Sequence, residues 1–188
     1  MNTGRLILTP DNPHTLFDAS GVEDLLRDLG MIANPLPEVA GHAFAAGDNL
    51  MRLISFAGCS PFLRFEPEGA GDEDFCHVRI TSSTGATPAF YAGSNTKPPC
   101  CPYCRRALSD WRPAAEDWLQ RGTLWECSSC GKSIAAPELN WRRHAGFARS
   151  LVEIFSVFPG EATPIPSLLE KLGRQAGGGA WRFFYWMP

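Results

Sequence analysis

Of the seven cysteines in this 188-residue chain, four stand as two C-x-x-C pairs, Cys101-Pro-Tyr-Cys104 and Cys127-Ser-Ser-Cys130, with 22 residues between the pairs. Two residues between thiols let the backbone turn in a tight knuckle, with both sulfurs on one side and N–H groups directed at them. Two such knuckles brought together supply four thiolates at tetrahedral corners, the closed coordination of a structural Zn²⁺. A redox C-x-x-C would need one pair to open a helix inside a βαβ unit, and neither pair has that setting. Cys100 directly precedes the first pair, but only Cys101 stands two residues from Cys104, so Cys100 is expected not to be a ligand. Pro98 and Pro99 stiffen the entry to the knuckle.

The stretches "CPYCR" and "CSSCGK", with a third strand in "SIAAPELNW", resemble the zinc-ribbon superfamily over about 45 residues. The resemblance implies a structural zinc held by Cys101, Cys104, Cys127 and Cys130. It also implies a module that presents strands and loops to a partner rather than doing chemistry at the metal. Gly131 fits the glycine habitual in such knuckles, and Arg105 departs from it at the first one. The spacer between the pairs reads as a hairpin, with "RALSDW" leaving the first knuckle and "GTLWEC" entering the second. Iron is the alternative, since thiolate ligands alone do not separate the two metals. The second pair lacks the proline that rubredoxins carry there, which favours zinc.

Charge is unevenly spread. The chain has a net charge of −3, with about −6 in residues 1–98 and +3 in residues 99–188. Four thiolates around Zn²⁺ leave −2, which Arg105, Arg106 and Lys132 would offset beside the ligands. Four of the six tryptophans, Trp111, Trp118, Trp125 and Trp141, fall in or next to the cysteine segment. A module this small buries only one or two such rings itself. The others either form the seam to the main domain or, with Arg105, Arg106, Arg142 and Arg143, make an interaction surface. The stretch "NWRRHAGFAR" also admits a nucleic-acid reading, with arginines for phosphate and Trp141 and Phe147 for stacking. The acidic net charge places that second to a protein partner. An enzyme reading would need Cys59, with His77 as its base, in an electropositive niche. The acidic stretch from Glu66 to Asp74 argues against one. Cys59 and Cys76 read instead as small buried residues, and alternation on a strand puts Cys76 and His77 on opposite faces.

The elements that must position these residues read as α+β. "RLILT" and "SLVEIFSVF" are strands, and "AWRFFYWMP" is a terminal one. Val22, Leu25, Leu26 and Leu29 mark one helix face, with Ser20 as its N-cap and Gly30 as its stop. Leu168, Leu169 and Leu172, with Ile165 and Gly173, repeat that spacing near the other end. The echo is either convergence of amphipathic helices or a pair of β-α units around one sheet, as in ferredoxin-like folds. A second helix is expected after Asp48 through residue 58, a loop over 33–48, and a hairpin pairing "FLRF" with "FCHVRIT". The expected organisation is residues 1–97 and 142–188 as one α+β domain, with 98–141 inserted as the zinc ribbon. No apolar run is long enough to span a membrane. The N-terminus has no secretory h-region, so the default location is the cytoplasm, where thiols stay reduced.

Overall fold

The computed structural model describes residues 4–57, 63–69 and 71–188. In chain order the first half runs β1 (Arg5–Pro10), α1 (Ala19–Asp28), β2 (Ile32–Pro35), β3 (His42–Ala46), α2 (Leu50–Leu53), β4 (Ile54–Phe56), β5 (His77–Ser82) and β6 (Ala89–Tyr91). The second half runs α3 (Trp111–Arg121), β7 (Trp125–Glu126), β8 (Ser133–Ile134), β9 (Gly146–Ala148), β10 (Ser150–Phe155), β11 (Ala162–Pro164), α4 (Pro166–Gln175) and β12 (Trp181–Trp186). Six strands form one antiparallel sheet in the order β12-β1-β10-β5-β3-β2. The fold is mixed α+β, with this sheet and four helices among the described residues.

The sheet is packed on one face by α1 and α4. Val22 and Leu26 of α1 and Leu168 and Leu172 of α4 are all buried, and they join Leu6, Leu8, Val78, Ile80, Val152 and Ile154 in one apolar cluster. The i, i+4 spacing of each helix pair and the i, i+2 spacing of each strand pair are what let these residues meet. Ile7 lies on the opposite face with Leu151 and Phe184. Strand β1 is therefore buried on both sides, which is why it reads as an unbroken apolar run.

At the start of α1 the cap is Asp18, not Ser20. Its carboxylate accepts from the Ser20 and Gly21 N–H groups at 3.2 Å. The Ser20 hydroxyl also donates to it, and these bonds, led by the hydroxyl, hold the Asp18 carboxyl below its usual range. Gly30 closes the helix with φ +67°.

Three expectations outside the cysteine segment are corrected. The stretch expected as a loop over 33–48 carries the hairpin β2–β3, in which Ala43 and Phe44 are buried on either side of the strand. Seven of its sixteen residues are alanine or proline, so local propensity gave no strand signal. The helix expected after Asp48 is a single turn, α2, led by Asn49, which runs straight into β4; β4 pairs with β11. Leu50 and Ile54 are both buried, and their helical spacing is met by a turn followed by a strand. The expected pairing of "FLRF" with β5 is limited to the Cys76 N–H donating to the Arg64 carbonyl at 2.7 Å, and Phe62 lies outside the described residues. Strand β5 spends its hydrogen bonds on β3 and β10.

Residues 92–145 enter and leave the sheet at one place. The pairing of β5 with β10 ends at Ser82 and Ser150, continues through the Ser83 N–H to the Arg149 carbonyl at 2.7 Å, and resumes as β6 with β9. The cysteine segment thus hangs from the tip of a two-stranded ribbon. Phe90 of β6 and Phe147 of β9 stack at 4.4 Å and meet Trp141 at 5.1 and 6.0 Å. A Cβ on Gly146 would overlap the Phe184 ring, which is buried and has nowhere to go. Gly146→Ala should therefore cost about 1–3 kcal/mol in urea unfolding, because overpacking at this joint displaces either β9 or the sheet.

Candidate metal centre

The two knuckles have the same backbone bonds. In the first, the Cys101 N–H donates to the Arg106 carbonyl at 2.8 Å and the Arg105 N–H to the Cys101 carbonyl at 2.9 Å. In the second, the Cys127 N–H donates to the Lys132 carbonyl at 2.9 Å and the Gly131 N–H to the Cys127 carbonyl at 2.7 Å. Arg105 and Gly131 occupy equivalent places, with φ +61° and +66°. The departure from glycine at the first knuckle leaves its shape intact and puts an arginine in the left-handed region, at a cost of roughly 1–2 kcal/mol.

The four sulfurs of Cys101, Cys104, Cys127 and Cys130 lie within 4.8 Å of one another, with Cys101 to Cys130 at 3.7 Å and Cys104 to Cys127 at 3.6 Å. A tetrahedron with metal–sulfur bonds of about 2.3 Å has edges of about 3.8 Å, so the cluster is consistent with a bound metal ion. Cys101 and Cys127 are buried, while Cys104 and Cys130 are exposed. The protons are unevenly held. The Arg106 N–H, opposed by partial desolvation and helped by the neighbouring thiols, lowers the Cys104 pKa to about 7. At Cys130 the Lys132 N–H favours the thiolate, but desolvation and the three other sulfurs push the pKa up to about 12. One thiolate is tolerated near neutral pH; four together require a cation. Cys100 is not in the cluster. It makes isolated β-bridges to Ala107 on one side and Asn140 on the other, with bonds of 2.9 Å to and from Asn140.

The spacer between the pairs is not a hairpin. Helix α3 fills it, with Trp111 and Ala115 buried and Gly122 closing it at φ +68°. Trp111, Ala115 and Trp118 stand at i, i+4 and i+7, so the signal was present in the sequence, masked by the ribbon expectation. A short hairpin remains in β7–β8, which frames the second knuckle.

Of the residues expected at an interaction surface, Trp111 and Trp141 are buried and contact edge to face at 5.4 Å. The Trp141 indole N–H donates to the Ala136 carbonyl at 2.8 Å. These two rings are core, and burial removes them from any surface. Trp118 and Trp125 are half-buried, with Trp118 against Phe147 at 5.2 Å and His14 at 6.0 Å. Arg105, Arg106, Arg142 and Arg143 are exposed. Arg142 and Arg143 form the middle of a turn, closed by the His144 N–H to the Trp141 carbonyl at 2.9 Å, with φ +51° and +63°.

The cysteine–histidine pair is divided between the two faces of the sheet. Cys76 sits in the main apolar cluster, where burial raises its pKa to about 12 and leaves it inert. His77 lies on the other face, stacked on Phe155 at 4.0 Å, with Nδ1 2.9 Å from the Phe75 carbonyl. Cys59, the expected nucleophile of an enzyme, lies outside the described residues. A polar group absent from the sequence reading sits near His77. Glu153 is buried, accepts from Arg5 Nη1 at 2.9 Å and from the Thr81 hydroxyl at 2.9 Å, and faces Arg79 across β5.

The matched knuckles differ in what a substitution at the left-handed position does. Arg105→Gly should be neutral to about 1 kcal/mol stabilising in thermal unfolding, whereas Gly131→Ala should lose about 1 kcal/mol, because only the first change relieves a left-handed residue. On the sheet, burial, opposed by the bond to Phe75, depresses the His77 pKa to about 4. The folded chain then binds fewer protons than the unfolded one, so stability is complete above pH 6.5 and falls as pH drops toward 4, by up to about 3 kcal/mol. Denaturant titrations across that range should show a smaller acid loss in His77→Phe, by that amount.

Comparison with protein families, with curated proteins and with solved structures returned no match for this chain. What identifies the segment is its own geometry, a four-cysteine cluster consistent with a metal site.

Proposed function

We propose that residues 98–141 are a ribbon-type module built on a structural zinc, inserted into an α+β domain made of residues 1–97 and 142–188, and that the chain works by binding, to another protein first. The observation that carries the metal part is the convergence of four sulfurs from two matching knuckles. The closed set of four cysteines, with no open ligand position, points to a structural metal, and the second pair's lack of the proline that rubredoxins carry favours zinc over iron. The ferredoxin-like reading of the main domain is supported by the interleaving of its two β-α units. The sheet strand that precedes α1 lies between β10 and β12, and the sheet strand that precedes α4 lies between β1 and β5. Reduced thiolates as ligands favour the cytoplasm.

Binding is favoured over catalysis because the described thiols are either in the cluster, buried in the core or, for Cys100, held in a strand bridge. The knuckle end presents Tyr103, 66% exposed, and Leu124, 54% exposed, among the exposed Arg105, Arg106 and Lys132. Apolar groups rimmed by cations fit a protein surface with complementary acidic residues. Nucleic acid is the second reading, favoured by the exposed Arg142 and Arg143. A cysteine enzyme using Cys59 is the third.

Elemental analysis of protein purified without added metal should find about one zinc per chain, lost in Cys101→Ser and kept in Cys100→Ser. Iron in its place would redirect the reading to electron transfer, and no metal would overturn it. Chelation should expose the tryptophans of the module, read as a red shift in fluorescence, because this segment is too small to hold its core alone.

A further inference from the structure

Three arginines far apart in sequence or conformationally costly where they stand line one cleft. The cleft has a volume of about 380 Å³ and lies between the cysteine segment and the main sheet; Arg142, Arg143 and Arg182 line it together with Leu169, Trp181 and Phe183. No acidic side chain among the described residues lines it. Its size falls within the range of small-molecule sites, and its walls alternate guanidinium with apolar surface. In a chain of net charge −3, this concentration of cations is local and specific.

The first two arginines sit at the central positions of the turn from Trp141 to His144, both with positive φ. Positive φ at both central positions marks a type I′ turn, whose usual residues are asparagine and glycine. The Arg142 N–H donates to Asn140 Oδ1 at 3.0 Å, and the Arg143 carbonyl accepts from the Tyr185 N–H at 2.9 Å, so the surroundings hold the turn in place. Arg142 also donates from Nη2 to the Pro98 carbonyl, and the Arg143 guanidinium lies 4.2 Å from the Phe183 ring. Neither makes an ion pair among the described residues. Strained residues that keep large charged side chains point from an outlier to a use for those side chains.

The third arginine is held with little compensation. Arg182 is 30% exposed, its Nε stands 3.8 Å from Asp11 Oδ1, and its Nη2 reaches the Phe147 carbonyl only at 3.5 Å. Burial lowers its pKa. The Trp181 indole N–H, in the same wall, is buried and has no hydrogen-bond partner among the described residues.

We propose that this cleft binds a small phosphorylated molecule with an apolar body. Arg143, seated over Phe183, and its neighbour Arg142 supply guanidinium forks for the phosphate oxygens, Arg182 adds positive charge from the other face of β12, and Leu169, Trp181 and Phe183 receive the rest. The site depends on the cysteine segment being folded, since Arg142 and Arg143 lie at its exit. It does not depend on which metal folds that segment.

The test uses the full chain with its metal content measured in every sample, so that loss of the module is distinguished from loss of the cleft. Phenyl phosphate, inorganic phosphate and phenol are titrated by calorimetry at low salt. Phenyl phosphate should bind at least tenfold more tightly than either fragment, and its affinity should fall as salt rises. The variant Arg142→Asn/Arg143→Gly installs the residues that the turn prefers. It should lose at least tenfold in phenyl phosphate affinity at unchanged metal content, while its Tm rises by about 2–4 °C. Equal binding of phenol, unchanged affinity in the variant, or no phenyl phosphate binding by metal-loaded protein would overturn the proposal. A lowered Tm would overturn it too, by showing that the arginines serve the turn's own packing. Binding of a single-stranded oligonucleotide without binding of phenyl phosphate would replace it with the nucleic-acid reading.

Discussion

Four sulfurs brought within a few ångströms of one another cannot all ionise without a cation between them, and that electrostatic requirement governs the whole cysteine segment. Each knuckle is arranged to meet it from the backbone side. N–H groups of Arg106 and Lys132 reach the sulfurs of Cys104 and Cys130, while Cys101 and Cys127 are sealed into the module's apolar cluster. The four-cysteine cluster and the apolar core are therefore one structure. Cys101 and Cys127 pack beside Leu108, Trp111, Ile134 and Trp141, so a metal held by the sulfurs and burial of the rings would reinforce each other.

The aromatic residues carry that order to the main sheet. Phe90 and Phe147 belong to strands that continue β5 and β10, yet their rings stand in the cluster of Trp111 and Trp141. Tyr185 of β12 adds a backbone bond to Arg143, and Trp186 one from its indole N–H to the Ala92 carbonyl at 3.2 Å. A segment tethered by two strands alone would swing. Here the stacked rings, the close approach at Gly146 and these bonds fix its orientation, and with it the cleft lined by Arg142, Arg143 and Arg182.

Positive φ at side-chain-bearing residues marks where this chain departs from the cheapest backbone. Arg105 holds a knuckle that Gly131 holds at lower cost, and Arg142 and Arg143 hold a turn that asparagine and glycine would favour. The sheet face opposite α1 and α4 shows a different kind of expense. Glu153, Arg5 and Thr81 form a buried polar group beside the neutral His77, and the Arg5 guanidinium is sandwiched between Phe155 at 4.2 Å and Trp186 at 4.7 Å. The buried Glu153 carboxylate is satisfied by partners from two neighbouring strands.

Elements whose signal is periodic and local could be read from the residues alone. The leucine spacing of α1 and α4, the strands β1, β10 and β12, and the two C-x-x-C pairs were all legible, because 3.6-residue, 2-residue and ligand spacings are properties of short segments. The spacing that separates Cys101 from Cys100 was legible for the same reason. Where two periodicities overlap, long-range pairing settles the outcome. Residues 48–57 became a turn and a strand because β4 found β11, and 33–48 became a hairpin because β3 found the free edge of β5. Which tryptophans are core, that Cys76 and His77 serve separate faces, and that Arg182 joins Arg142 and Arg143 also depend on contacts across tens of residues. No local pattern encodes them, because they arise only when strands from opposite ends of the chain are placed side by side.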